Sequence, residues 1–370
     1  MVAIDTDPIK EFLIKQVVMP RTMLLDVPGY ILAKSPGAFA RYIYLSEPFF
    51  VLLESKVADR LGEEGLKKLY GAGKRFGYRF CTLMGLSKTD IRFNAKMAFE
   101  FSAMFYADSI ETKVDLANKV VVADTKDVVV TRVNGSGLSL MVGGAAGLWG
   151  YFLNDYDKIE CGVIAKGGNR YIFVCGPPEK LIERGITFYE AHGAPDVNDR
   201  TIYILFNQPP GHIPSSAFNV TKLMHTPPFY YYDNNPWKHA LPNVRLVDVE
   251  IAYPYELELT VGSQIVYEAA KESFKLIGQN VPKQLDSHFF LTNMLTALGY
   301  GIVTAERSSD SESFYFSGAP WYVAADKSTF PVIRGAIEGF LEGQGIMAKA
   351  SYARSEIYNT TFRVSIDVSL

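Results

Sequence analysis

Cysteine, histidine and tryptophan are scarce in this 370-residue chain, at three, five and three residues. Cys81, Cys161 and Cys175 are too few and too scattered for a disulfide framework or a CxxC metal site, so the expected compartment is the reducing cytoplasm. His192, His212, His225, His239 and His288 follow no recognisable spacing, and four of them lie in or near Pro-rich sequence between 190 and 240. No nucleophile, base and orienting group can be assembled from such a pattern, and no catalytic residue is assigned. Charge of one sign is missing too: 37 Lys+Arg against 40 Asp+Glu give a net charge of −3, which offers nucleic acid no electrostatic footing. A secretory leader is not expected, because Asp5, Asp7 and Lys10 stand where an apolar core would be needed. One uncharged run, Val133 to Asn154, has the length of a membrane span. Its six glycines, with Asn134, Ser136 and Ser139, instead indicate a strand end, a turn and a buried helix starting near Leu140. No membrane span is expected.

What the chain has in quantity is buriable surface: 48% hydrophobic residues, with 24 Phe and 22 Tyr, which excludes disorder. The length allows two or three domains, and internal echoes suggest how they are arranged. Met23-Leu-Leu-Asp-Val-Pro-Gly-Tyr-Ile31 is matched by Ile204-Leu-Phe-Asn-Gln-Pro-Pro-Gly-His-Ile213, with Gly29 and Gly211 offset by 182. Glu47-Pro-Phe-Phe50 is echoed by Pro227-Pro-Phe-Tyr230 at an offset of 180. Leu69-Tyr-Gly-Ala-Gly-Lys-Arg-Phe76 is echoed by Val266-Tyr-Glu-Ala-Ala-Lys-Glu-Ser-Phe274 at 197, which requires an insertion, read as irregular, at about 233–255. Gly143 and Gly147 match Gly335 and Gly339, and Arg170-Tyr-Ile-Phe-Val174 matches Thr360-Thr-Phe-Arg-Val364. The expectation is a tandem duplication: an extension (1–19), a first copy (20–178), a linker (179–199) and a second copy (200–370).

Each copy reads in the same order. A strand pair at Pro-Gly precedes helices at Glu54–Leu83 and Lys96–Ser109, or Val266–Leu285 and Ser287–Leu298. Two strands follow, Lys119–Ala123 and Asp127–Val133 in the first copy, Gly301–Ala305 and Ser313–Ser317 in the second. A glycine-containing helix (Leu140–Asn154, Phe330–Gln344) and a closing hairpin end the copy, the first hairpin turning at Lys166-Gly-Gly-Asn169. The fold class is α+β, two copies of an antiparallel sheet with helices on one face, related by a possible pseudo-twofold axis.

The stretch His288 to Val368 resembles the vinyl-reductase-type small-molecule-binding domain, related to phenol-sensor domains and TRAPP-type vesicle-tethering subunits. The residues that carry this are Leu295-Thr-Ala-Leu-Gly-Tyr-Gly-Ile-Val303, Ser317-Gly-Ala-Pro-Trp321 and Phe330-Pro-Val-Ile-Arg-Gly-Ala-Ile-Glu-Gly-Phe-Leu-Glu-Gly343. The first copy is similar through Leu69 to Gly77 and Lys158 to Ala165. The cysteine cluster that many members carry in the last hairpin is replaced here by Tyr352 and Thr360, so no zinc is expected. The resemblance implies pairing of domains, either as an internal pseudo-dimer or as a homodimer.

Gly71-Ala-Gly-Lys-Arg-Phe-Gly77 lacks phosphate-loop spacing and follows a helical stretch, so it is read as a helix-packing face. Glycine costs about 1 kcal/mol per helix position, and the four-residue stripes demand a compensation. That compensation is either close helix packing or a slot for a flat ligand. With the aromatics nearby, the candidate ligand-binding residues are His288, Tyr300, Trp321, Tyr322, Gly335, Gly339 and Phe340 in the second copy, and Trp149 and Phe152 in the first. Phe229 to Trp237 is a further aromatic run, read as a capping or partner-facing loop. The leading expectation is non-enzymatic binding or sensing of a hydrophobic or aromatic small molecule, with no cofactor and with output through a partner protein. The alternatives are a reductase-type enzyme on an aromatic or tetrapyrrole substrate and a structural protein-interaction module.

Overall fold

The computed structural model describes residues 25–35, 38–107, 109–128, 138–196, 199, 218–231, 239–308, 311–324, 326, 328–356 and 359–366. In the first half, β1 (Leu25–Val27) and β2 (Tyr30–Ser35) turn at Pro28-Gly29, where Gly29 takes φ 78°, and β2 pairs with β3 (Ala38–Ser46). Helix α1 (Glu47–Leu83) carries Pro48 in its first turn, where the missing N–H costs nothing, and bends at Gly62 (φ 61°, ψ −151°). Helix α2 (Ile91–Tyr106) leads into the hairpin of β4 (Ser109–Asp115) and β5 (Val120–Lys126). Helix α3 (Leu138–Leu153) and the hairpin of β6 (Glu160–Gly167) and β7 (Arg170–Gly176) follow. The sheet order is β4-β5-β7-β6. After α4 (Pro178–Ile182) the chain returns along β6, where Phe188 bridges Gly162.

The second half contains α5 (Val220–Met224), β8 (Tyr230–Tyr231), β9 (His239–Leu241), β10 (Val244–Glu250), α6 (Ala252–Val261), α7 (Ser263–Asn280) and α8 (Ser287–Ala297). It ends with β11 (Ile302–Arg307), β12 (Ser311–Ser317), α9 (Pro331–Gly343), β13 (Ala348–Glu356) and β14 (Asn359–Ile366). Its sheet runs β11-β12-β14-β13, the same relative order as in the first half. Gly262 (φ 93°) separates α6 from α7 as Gly62 bends α1. All three described sheets are antiparallel and helices cover them, so the architecture is α+β. No described helix is long and apolar enough to cross a membrane.

A six-stranded sheet, β1-β2-β3-β10-β9-β8, takes three strands from each half and joins them through antiparallel β3 and β10, with Tyr44 opposite Asp248 and Tyr42 opposite Glu250. Side chains reinforce the seam. The wholly buried Arg41 donates to the carbonyls of Gly29 (3.2 Å) and Gly299 (2.9 Å), and Arg245 grips Glu47 with two bonds of 2.8 and 3.0 Å. Arg75 (2.6 Å) and Arg79 (2.7 Å) on α1 share Glu256 on α6.

The glycine stripes are filled by backbone. In the first half a methyl group at Gly143 or Gly147 would overlap the carbonyl oxygens of Tyr70 or Lys74 on α1, and one at Gly73 or Gly77 would overlap those of Leu140 or Gly144 on α3. In the second half a methyl at Gly335 would stand 2.7 Å from the Tyr267 carbonyl oxygen, and one at Gly339 would overlap that of Lys271, both on α7. Helix packing therefore occupies the space where a flat ligand would have lain, and this corrects the slot reading of Gly335 and Gly339.

Other expectations need correction. The supposedly irregular insertion at 233–255 contains β10, buried along its whole length, and most of its last residues begin α6. Pro227 to Tyr230 does not correspond to Glu47 to Phe50. The residues after β3 open a helix, whereas Tyr230 belongs to a short strand. The helix after β10 also carries a proline in its first turn, Pro254 as its third residue where Pro48 is the second of α1. The expected strand Lys119–Ala123 falls within β5 but for its first residue, and its hairpin partner is β4, which precedes it, instead of Asp127–Val133. Residues 129–133 lie outside the described residues, as does the Pro209-Pro-Gly211 echo.

Candidate functional site

The candidate site lies in the second half, between α8 and the β11–β12 hairpin. Asp286 caps α8, its carboxylate accepting the backbone N–H groups of His288 and Phe289, both at 3.0 Å. These two bonds, Phe289 foremost, hold the Asp286 carboxyl below its usual range. The cap fixes His288 in the first turn. On β12, the inward-facing residues are Glu312, Phe314 and Phe316, so a carboxylate occupies a register that otherwise holds core phenylalanines. The Nδ1 of His288 meets the Oε2 of Glu312, with His288 8% and Glu312 2% exposed. The Nε2 of His288 has no hydrogen-bond partner among the described residues.

This pair lines a cavity of about 630 Å³. Phe218, Phe289, Ile302 and Val303 supply apolar wall, and Lys222 and Arg307 bring positive charge. Thr292 and Thr296 also face it, but their hydroxyls donate to the carbonyls of Phe289 and Thr292 (2.9 and 2.8 Å), and Thr296 accepts from Val303 N. Among the described cavity-lining side chains, the buried polar groups with valence to spare are the His288 imidazole and the Glu312 carboxylate beside it.

Of the residues expected from sequence, the cavity takes in His288. The others lie in packed surroundings. Tyr300, fully buried, donates to the Tyr44 carbonyl oxygen at 3.4 Å and sets its ring edge-on to Phe274, and burial raises its hydroxyl pKa far above the usual value. Trp321 donates from Nε1 to the Ile251 carbonyl at 2.5 Å, and Tyr322 opens the short 3-10 turn that follows. Phe340 ends a stack of three rings, Phe229, Phe290 and Phe340, with centroids 6.0 Å apart at each step. In the first half Trp149 is fully buried and donates to the Lys119 carbonyl at 2.8 Å, while Phe152 packs edge-on against Tyr151. Tyr352 leans on Phe330 and Phe362. Glu312 and Asp286 were not anticipated. The signal for Glu312 was its parity with Phe314 and Phe316 on an alternating strand.

A second polar cluster, also unanticipated, lies in the first half and is closed. Glu160 on β6 accepts from Lys74 Nζ (2.8 Å), Tyr70 Oη (2.6 Å) and Ala191 N (3.1 Å). Lys74 also donates to the Ala191 carbonyl (2.6 Å) and sits 4.7 Å from the centre of the Tyr156 ring, while Tyr70 Oη accepts from Cys161 N (3.0 Å). Burial pushes the Lys74 pKa down and the Glu160 pKa up, and each charge opposes the other's shift. Lys74 and Glu160 are essentially inaccessible to solvent, so this cluster braces the fold.

Among the described residues, no group of three or more His, Cys, Asp or Glu is placed to hold a metal ion. No model of a known protein family matches the chain, and no curated protein matches it.

Proposed function

We propose that the chain binds a compact hydrophobic or aromatic small molecule bearing one polar group, in the cavity beside His288 and Glu312, and that its two halves are copies of one unit. The observation that carries the binding reading is the buried imidazole with an unpartnered Nε2 on a cavity of about 630 Å³. A buried polar atom without a partner costs about 1–3 kcal/mol, which a ligand hydroxyl, carbonyl or amide at Nε2 would recover. The volume is within the range of small-molecule sites. Binding without turnover is favoured because the Thr292 and Thr296 hydroxyls, which face the cavity, are committed to backbone carbonyls. The duplication is supported by the shared strand order and by glycine contacts repeated at Tyr70 and Lys74 against Tyr267 and Lys271.

The test is native mass spectrometry and thermal shift on the purified protein, using a panel of phenols, fatty acids and porphyrin precursors. A stabilising compound is expected, and His288→Ala is expected to abolish the shift while preserving the far-ultraviolet circular dichroism. No shift from any compound, together with no co-purifying small molecule, overturns the reading. One observation favours a second reading, a structural module acting through protein contacts: the packed interior at Gly335, Gly339 and Trp321. Under that reading His288→Ala leaves every ligand response absent and a stable partner complex intact.

A further inference from the structure

We propose that Cys161 and Cys175 form a modification site, a thiol pair that a peroxide converts to a cross-strand disulfide. The two residues are direct partners in the β6–β7 register. The N–H of Cys161 points away from β7, to Tyr70 Oη, so the pair is of the non-hydrogen-bonded kind, in which opposed Cα atoms approach to about 4.5 Å. That spacing lies inside the range a disulfide spans without backbone movement. The sulfur atoms are 2.8 Å apart, both residues are fully buried, and both thiols are free. Cys81, the third thiol, is buried in α1 and serves as an internal control.

The chemistry closes with a peroxide as the sole co-reactant. One cysteine sulfur attacks a peroxide oxygen; the S–O bond forms, the O–O bond breaks, and the departing hydroxide takes the thiol proton as water. The second sulfur then attacks the sulfenic sulfur; the S–S bond forms, the S–O bond breaks, and the second proton leaves in a second water. Two electrons pass from the sulfur pair to the peroxide. Burial holds the Cys175 thiol well above its usual pKa, so the first step is slower than for an exposed cysteine.

The test exposes the folded, full-length protein to hydrogen peroxide until Met347, which is 59% exposed, is fully converted to its sulfoxide. Free thiols are then alkylated under denaturing conditions and counted by mass spectrometry. The expected result is one alkylated thiol, at Cys81, and a peptide pair linked through Cys161 and Cys175. Dithiothreitol then restores all three thiols. Closing a loop of about 15 residues is expected to lower the unfolding equilibrium constant roughly a hundredfold. Three free thiols after complete conversion of Met347, sulfinic acid at either cysteine, or a link to Cys81 would each overturn the proposal. Should Cys175→Ser fold, it removes the link and leaves Met347 oxidation unchanged.

Discussion

The same Tyr-x-x-x-Lys spacing sits on the glycine-packed helix of each half, Tyr70 and Lys74 on α1 and Tyr267 and Lys271 on α7, yet the carboxylate it meets comes from different places. In the first half it is Glu160 on a strand, sealed from solvent; in the second it is Glu338 on α9, bonded to Tyr267 and to Ala350 N, with Lys271 30% exposed and shared with Glu342. Backbone contact between paired helices tolerates no added atom, whereas an ion pair accepts any carboxylate that reaches it. The halves are alike at the glycines and differ in the element that supplies the carboxylate.

The comparison breaks most sharply at the carboxylates. Glu160→Gln leaves Lys74 charged and buried, at an expected cost of about 3–5 kcal/mol. Glu338→Gln leaves Lys271 with Glu342 and is expected to cost about 1 kcal/mol. Urea unfolding of the two variants measures the gap, and equal losses would refute the contrast. At the glycines the halves are expected to behave alike: Gly147→Ala and Gly339→Ala each force a methyl into a carbonyl oxygen and should lose about 2–3 kcal/mol. A loss in one variant only would show that the helix pairs are packed differently.

The third contrast is between the seam strands, and it appears in pH. Burial raises Asp248 and Glu250 on β10 to about 7, while their partners on β3 are Tyr44 and Tyr42. A carboxyl whose folded pKa exceeds its unfolded value binds more protons folded than unfolded between the two values, so stability falls as pH rises through that window and levels off above it. The window runs from about 4 to about 7, and each group is expected to remove about 2 kcal/mol between pH 5 and 7. Asp248→Asn and Glu250→Gln are expected to flatten the slope, read as denaturation midpoint against pH. The smallest effect belongs to the exposed links between halves. Lys56→Ala, which frees Glu272, is expected to cost less than about 1 kcal/mol, and less still at high salt.

Most helices and the closing hairpins were legible because amphipathic periodicity and glycine spacing survive without tertiary context. Strand β4 was not, because Ser109-Ile-Glu-Thr-Lys-Val-Asp115 is an edge strand with one fully buried side chain and so carries little apolar signal. Strand β10 was hidden for the opposite reason. It is buried on both faces, so Val244-Arg-Leu-Val-Asp-Val-Glu250 shows no clean alternation, and its acidic residues mask it further. At the candidate site His288 stands among the residues expected from sequence, but Glu312 acquires meaning only when α8 is laid over β12. The opposition of Cys161 and Cys175 likewise depends on the bulge between Ala165 and Gly167 in the turn region, which composition does not encode.

The β3–β10 seam makes the molecule mechanically one piece. A ladder of main-chain bonds crosses the middle of the central sheet, so neither half can loosen without baring a strand edge at least five residues long. If the connection between the halves were severed and the pieces separated, each fragment would present that raw edge to solution, and the nearest surface shaped to cover it is another copy of itself.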